Sequence, residues 1–109
     1  MAKVEIQSGI CGFNTIVIAE KSQDFTTTLQ VKSECSNWQI VNDLMCGESF
    51  NIMAELFKDK KSGKINSKVL EIMLEKIPHI SCPVLSGIFK AMEVSCGLAL
   101  PKDAVIKFL

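Results

Sequence analysis

The stretch that decides the fold is TIVIAEKSQDFTTTLQVKS, Thr15 to Ser33. Its first part, TIVIAE, is β-branched and apolar, the composition of a buried strand. Its last part, TTTLQVKS, puts Thr27, Leu29 and Val31 on one side of an extended chain, because successive side chains of a strand point to opposite faces. KSQDF between them reads as a turn. Upstream, Val4 and Ile6 alternate with Lys3, Glu5 and Gln7, and SGICGFN supplies a second turn before Thr15. Three strands in sequence joined by two short connections predict an antiparallel meander.

From Ser36 onward the apolar period becomes helical. Val41, Leu44 and Met45 form a stripe with Trp38 and Ile40 beside it, and Gly47 stops this first helix. Ser49 is placed to cap a second helix carrying Phe50, Met53, Leu56 and Phe57. KDKKSGK, Lys58 to Lys64, reads as a charged exposed loop. Asn66 or Ser67 caps a third helix with Val69, Ile72, Met73 and Ile77 inward, ended by Pro78. A last helix runs from Pro83 to about Cys96, with Leu85, Ile88, Phe89 and Met92 facing the core, and Gly97 ends it. AVIKFL at the C-terminus has the composition of one more strand. Strands first and helices after predict an α+β domain over residues 1–109, a small three-stranded antiparallel sheet, with or without that C-terminal strand, and helices packed on one face.

Composition narrows the function classes. The 109 residues are 48% hydrophobic, enough for one core without staples. Lys+Arg and Asp+Glu balance at 12 each, against a nucleic-acid binder that relies on a basic face. The N-terminus lacks the apolar run of a signal peptide, and no segment approaches the ~18 apolar residues of a membrane span, so a cytoplasmic protein is expected. There is no GxGxxG and no GxxxxGK, which leaves nucleotide binding without support. With one histidine and no tyrosine, conventional hydrolytic chemistry lacks an acid–base partner, and a scaffold or binding protein is expected rather than an enzyme.

Cysteine is the unusual component. Five thiols, an odd number without an export signal, argue against a disulfide framework. They divide by position. Cys11 lies in the first turn, before Gly12. Cys35 lies where the third strand gives way to the first helix, and Cys82 lies just before Pro83, a residue favoured at a helix start. A helix N-terminus presents free N–H groups and the positive end of the dipole, which favour an anion such as thiolate, the form that binds metals. Cys46 and Cys96 each precede a glycine at a helix C-terminus, where the dipole has the opposite sign, and read as packing. Cys11, Cys35 and Cys82 can converge at one end of the sheet. Three sulfur ligands with one exchangeable position suit Zn²⁺ or an iron–sulfur cluster. His79, near Cys82, is a candidate fourth metal ligand, although a lone histidine in a turn is more often only solvated.

The segments ICGFN, KSECSNW and PHISCPVLSGIFKAME, with separations of 24 and 47 residues between Cys11, Cys35 and Cys82, resemble the IscU/NifU-type iron–sulfur cluster assembly scaffolds. Those proteins carry a CGD turn between early strands, a cysteine after the third strand, and an HCS segment opening a late helix. The resemblance implies an IscU-like fold, an iron–sulfur cluster or zinc on the three thiolates, and a sulfur donor or cluster-acceptor protein as partner. Phe13 stands where that family has aspartate, and Ser81 where it has histidine. The chaperone-binding segment of the family is reduced to KIPHIS. A phenylalanine at position 13 would dry the site.

Other residues have plainer readings. Trp38 packs in the core or lids the site. Met45, Met53, Met73 and Met92 fall at helical core positions. Asp24 and Glu34 are turn acids, solvated or supplying an oxygen ligand. Two alternative functions remain beside metal binding: a sulfur carrier or redox protein with Cys82 or Cys35 as nucleophile, and a non-catalytic interaction domain whose cysteines are packing.

Overall fold

The computed structural model describes all of residues 1–109. The strands are β1 (Ala2–Gln7), β2 (Asn14–Gln23), β3 (Thr26–Ser33) and β4 (Ser49–Asn51), and the helices are α1 (Ser36–Met45), α2 (Ile52–Leu56), α3 (Lys68–Lys76) and α4 (Val84–Ser95). The sheet is antiparallel in the order β1-β2-β3-β4.

The register explains the layering. Val4 lies opposite Val17, which lies opposite Val31, and Ala2, Ala19 and Leu29 form the next row. These rows face the helices, where Trp38, Val41 and Met45 of α1, Val69 and Met73 of α3, and Val84, Ile88, Ala91 and Met92 of α4 complete one core. The opposite face carries the rows Lys3–Ile18–Gln30 and Glu5–Ile16–Lys32. It is solvated, as one face of an antiparallel sheet commonly is.

The α+β class and the three-strand meander are as the alternation predicts, and the sheet gains a strand at a different place from the one expected. Ser49–Asn51 pairs with Thr26–Thr28 as β4. Ser49 therefore caps no helix. Asn51 does so instead, its side chain accepting from the N–H groups of Met53 and Ala54. The helix that follows is one short turn and a half, with Met53 and Phe57 exposed. AVIKFL forms no strand, and Leu100 to Leu109 are exposed throughout. A β-like composition makes no strand where the segment is not laid against a sheet edge.

The sheet has two distinguishable ends. At one lie the β1–β2 connection and the β3–α1 junction; at the other lie the β2–β3 turn and β4. Helix α4 runs from the first end to the second. Near its start Gly87 sits on β1 so closely that a Cβ there would lie 2.6 Å from Ile6 Cδ1 and Cγ1. Near its end the Ser95 hydroxyl donates to Met92 O (2.7 Å) and lies 3.2 Å from Thr27 Oγ1. Helix α1 runs antiparallel to β3, tied to its middle by the Val31 N–H donating to Asn42 Oδ1 at 2.8 Å. Both long helices on the sheet therefore begin at the same end.

Candidate thiol site at one end of the sheet

The β1–β2 connection is a short loop closed by two hydrogen bonds, Ser8 N–H to Phe13 O (3.2 Å) and Gly12 N–H to Gly9 O (2.9 Å). Gly9 and Gly12 take φ of 83° and 72°, values that glycine adopts without a Cβ penalty. This loop holds Cys11, exposed to solvent. Gln7, Ser8, Gly9, Gly12, Phe13 and Asn14 line an open cleft along it.

The β3–α1 junction is tied directly to the root of that loop. Asn14 N–H donates to Glu34 Oε1 at 2.9 Å, and the hydroxyls of Thr15 and Ser33 lie 2.7 Å apart. The same Ser33 hydroxyl accepts from Cys35 N–H at 3.1 Å, and Ser33 O accepts from Gln39 Nε2 at 2.9 Å. Cys35 is thereby fixed as the N-cap residue of α1, half-buried and packed against the core. Glu34, an expected turn acid, has the definite task of joining the two segments. Asp24 lies in the other turn, at the far end, 3.5 Å from Lys21 Nζ.

Cys82 lies one residue before Pro83, the N-cap of α4, and its carbonyl accepts from Leu85 N–H at 3.3 Å. It too is half-buried against the core. Because α4 crosses Ile6 one turn in, its start stands over the end of β1 that enters the Cys11 loop. The fold thus carries Cys11, Cys35 and Cys82 to one end of the sheet on three separate elements. Cys46 and Cys96 are the C-cap residues of α1 and α4 and sit at the opposite end.

The four helix starts are not equivalent. Those of α2 and α3 are capped by Asn51 and Ser67 side chains and carry Glu55 and Glu71 in their first turns. Those of α1 and α4, at the three-cysteine end, have no side-chain cap and no acid in the first turn. The positive ends of two helix dipoles therefore lie beside Cys35 and Cys82 without a side-chain cap, with Glu34 the acid next to the start of α1. Asn14 Oδ1, at the loop's exit, is the one buried side-chain polar atom without a hydrogen-bond partner.

The thiols are not drawn into a closed cage: no three His, Cys, Asp or Glu side chains are grouped so as to hold a metal ion. His79 is exposed in the α3–α4 connection, its Nδ1 3.4 Å from Ser81 Oγ. Phe13 is 40% exposed and lines the open cleft along the Cys11 loop. Trp38 is 2% exposed, a core residue rather than a lid.

Sequence reasoning missed Glu55. This buried carboxylate accepts from the Ser67 hydroxyl and from the N–H groups of Lys68 (3.2 Å) and Val69 (3.0 Å), locking α2 onto the start of α3. Its signal was its place three residues after Ile52, on the buried side of a helical period.

The molecule is a small α+β protein with a four-stranded antiparallel sheet and four helices. It belongs to the family of unknown function DUF6951, whose model matches residues 2–108. That assignment replaces the IscU/NifU scaffold family as the chain's affiliation: order and spacing of three cysteines on an α+β frame are too general to define a family. No curated protein and no solved structure matches the chain. No helix is long and apolar enough to cross a membrane.

Proposed function

We propose that the protein binds a thiophilic metal centre, an iron–sulfur cluster or Zn²⁺, through the thiolates of Cys11, Cys35 and Cys82. The observation that carries this reading is the sorting of the five cysteines. Three lie at the end of the sheet where two uncapped helices begin, and two lie where those helices finish. A centre with three thiolate ligands bears negative charge, and the unpaired N–H groups of α1 and α4 stabilise such a charge. Cys35 and Cys82 are held by packed elements. Cys11 stands on a solvent-exposed loop that closes over the metal and brings the third sulfur with it, so the site forms on binding rather than before it. His79 is near enough in sequence to Cys82 to complete the coordination.

The deciding measurement is iron, acid-labile sulfide and zinc per chain in protein purified without oxygen, with Cys11→Ser, Cys35→Ser, Cys82→Ser and Cys96→Ser beside it. Stoichiometric metal that falls in the first three variants and persists in the fourth is the expected result. Wild-type protein that is metal-free and takes up neither iron with sulfide nor zinc on reconstitution would sink the proposal. A Cys35 or Cys82 thiol reacting fast at mildly acidic pH would then point to sulfur-carrier or redox chemistry.

A further inference from the structure

The exposed C-terminal segment and the free edge of β1 complement each other. Leu100, Val105, Ile106, Phe108 and Leu109 are 81% exposed or more. Beyond Leu98 the backbone makes one hydrogen bond, Lys102 N–H to Leu100 O at 2.8 Å. At the other side of the molecule's sheet order, β1 has β2 on one side and no strand on the other. Its outward N–H and C=O groups form a template for another strand. The segment Ala104 to Leu109 and β1 are each six residues long.

We propose that Ala104 to Leu109 of one copy adds as a strand to the β1 edge of a second copy, and the reverse, forming a two-fold strand-exchanged dimer. Set parallel to β1, with Ala104 beside Ala2, the segment lays three apolar residues on the helix-covered side and puts Val105 and Leu109 beside Lys3 and Gln7. Ala104, Ile106 and Phe108 fall with Ala2, Val4 and Ile6 on the helix-covered side, where Val4 is only half-buried in the single chain. Lys107 falls beside Glu5 on the solvated side, and Asp103 falls on that side near Lys3. Glu5 is thus answered in sign by Lys107, and Asp103 stands diagonal to Lys3. Edge and segment are both left unpaired by each copy, so an isologous exchange satisfies both at once.

The test is a concentration series by sedimentation velocity in metal-free buffer, which separates it from the thiol site. The samples are the full chain, a chain ending at Pro101, Glu5→Lys, Lys107→Glu and the double reversal. A dimer is expected for the full chain and a monomer for the truncated one. Each single reversal raises the dissociation constant about fivefold, and the double reversal restores it. A full-length monomer overturns the proposal, whether or not hydrogen exchange finds residues 104–109 protected; protection would mean that the segment docks on its own chain. A dimer that survives truncation overturns it too, since another face then makes the contact.

Discussion

At the scale of single residues, two positions carry more than their side chains advertise. Gly87 is where α4 rests on β1. An added Cβ would meet Ile6 at 2.6 Å, and Ile6 is itself buried in the core. Gly87→Ala should therefore destabilise the fold by about 2 kcal/mol through overpacking, in spite of the better helix propensity of alanine. Removing both clashing carbons with Ile6→Ala in the same chain should make the Gly87→Ala change itself cost less than it does beside Ile6. Urea denaturation of the two single variants and the double checks it, and a Gly87→Ala protein as stable as wild type would show that α4 does not sit this close. Glu55 is the second position. Its carboxylate satisfies the Ser67 hydroxyl and two helix N–H groups inside the protein. Glu55→Ala leaves them without an acceptor and should cost about 3 kcal/mol. Glu55→Gln keeps one oxygen and should cost less. Equal losses for the two would mean that packing rather than hydrogen bonding is what Glu55 supplies.

Elements show which parts of the fold were legible and why. Strands β1, β2 and β3 were readable because each has one buried and one solvated face, so composition alternates with the pleat. Helix α3 was readable at both ends, from the Ser67 cap and from Ile77 before Pro78. Strand β4 was not, since three residues give no period, and Ser-Phe-Asn before an apolar stretch also describes a helix start. The lone strand-like AVIKFL misled because residue preference says nothing about a partner. At the candidate site, the chain order of turns and caps revealed which cysteines stand at helix starts. Whether their sulfurs approach one another is a matter of tertiary placement, which no local pattern encodes. The caps themselves yield a prediction. Ser67 accepts from Leu70 N–H at 3.0 Å while Cys35 makes no side-chain cap bond. Ser67→Ala should cost about 1 kcal/mol or more. Cys35→Ser introduces a good cap in place of a partly packed thiol and should change stability far less. Thermal melts of the two variants in chelator decide it. A large loss for Cys35→Ser would mean that this sulfur is there for packing.

The whole molecule is polar in the distribution of its thiols, and this supports a test that bulk metal analysis cannot make. Cys11 and Cys46 are both exposed, and they lie at opposite ends of the fold. Alkylation of the metal-free protein should modify both readily and Cys35, Cys82 and Cys96 more slowly, because those three are half-buried. Adding Zn²⁺ should then protect Cys11, Cys35 and Cys82 together, since a shared ion removes all three thiolates from reaction at once. Cys46 should keep its rate. Peptide mass spectrometry after brief labelling reads each cysteine separately in one sample. Protection of Cys11 alone would describe adventitious zinc on a surface thiol. Equal protection of Cys46 would show that the ion does not distinguish the two ends. Joint protection with Cys46 unchanged is the outcome expected of the proposed site, because Cys35 and Cys82 stand at the starts of α1 and α4 while Cys46 stands at the end of α1.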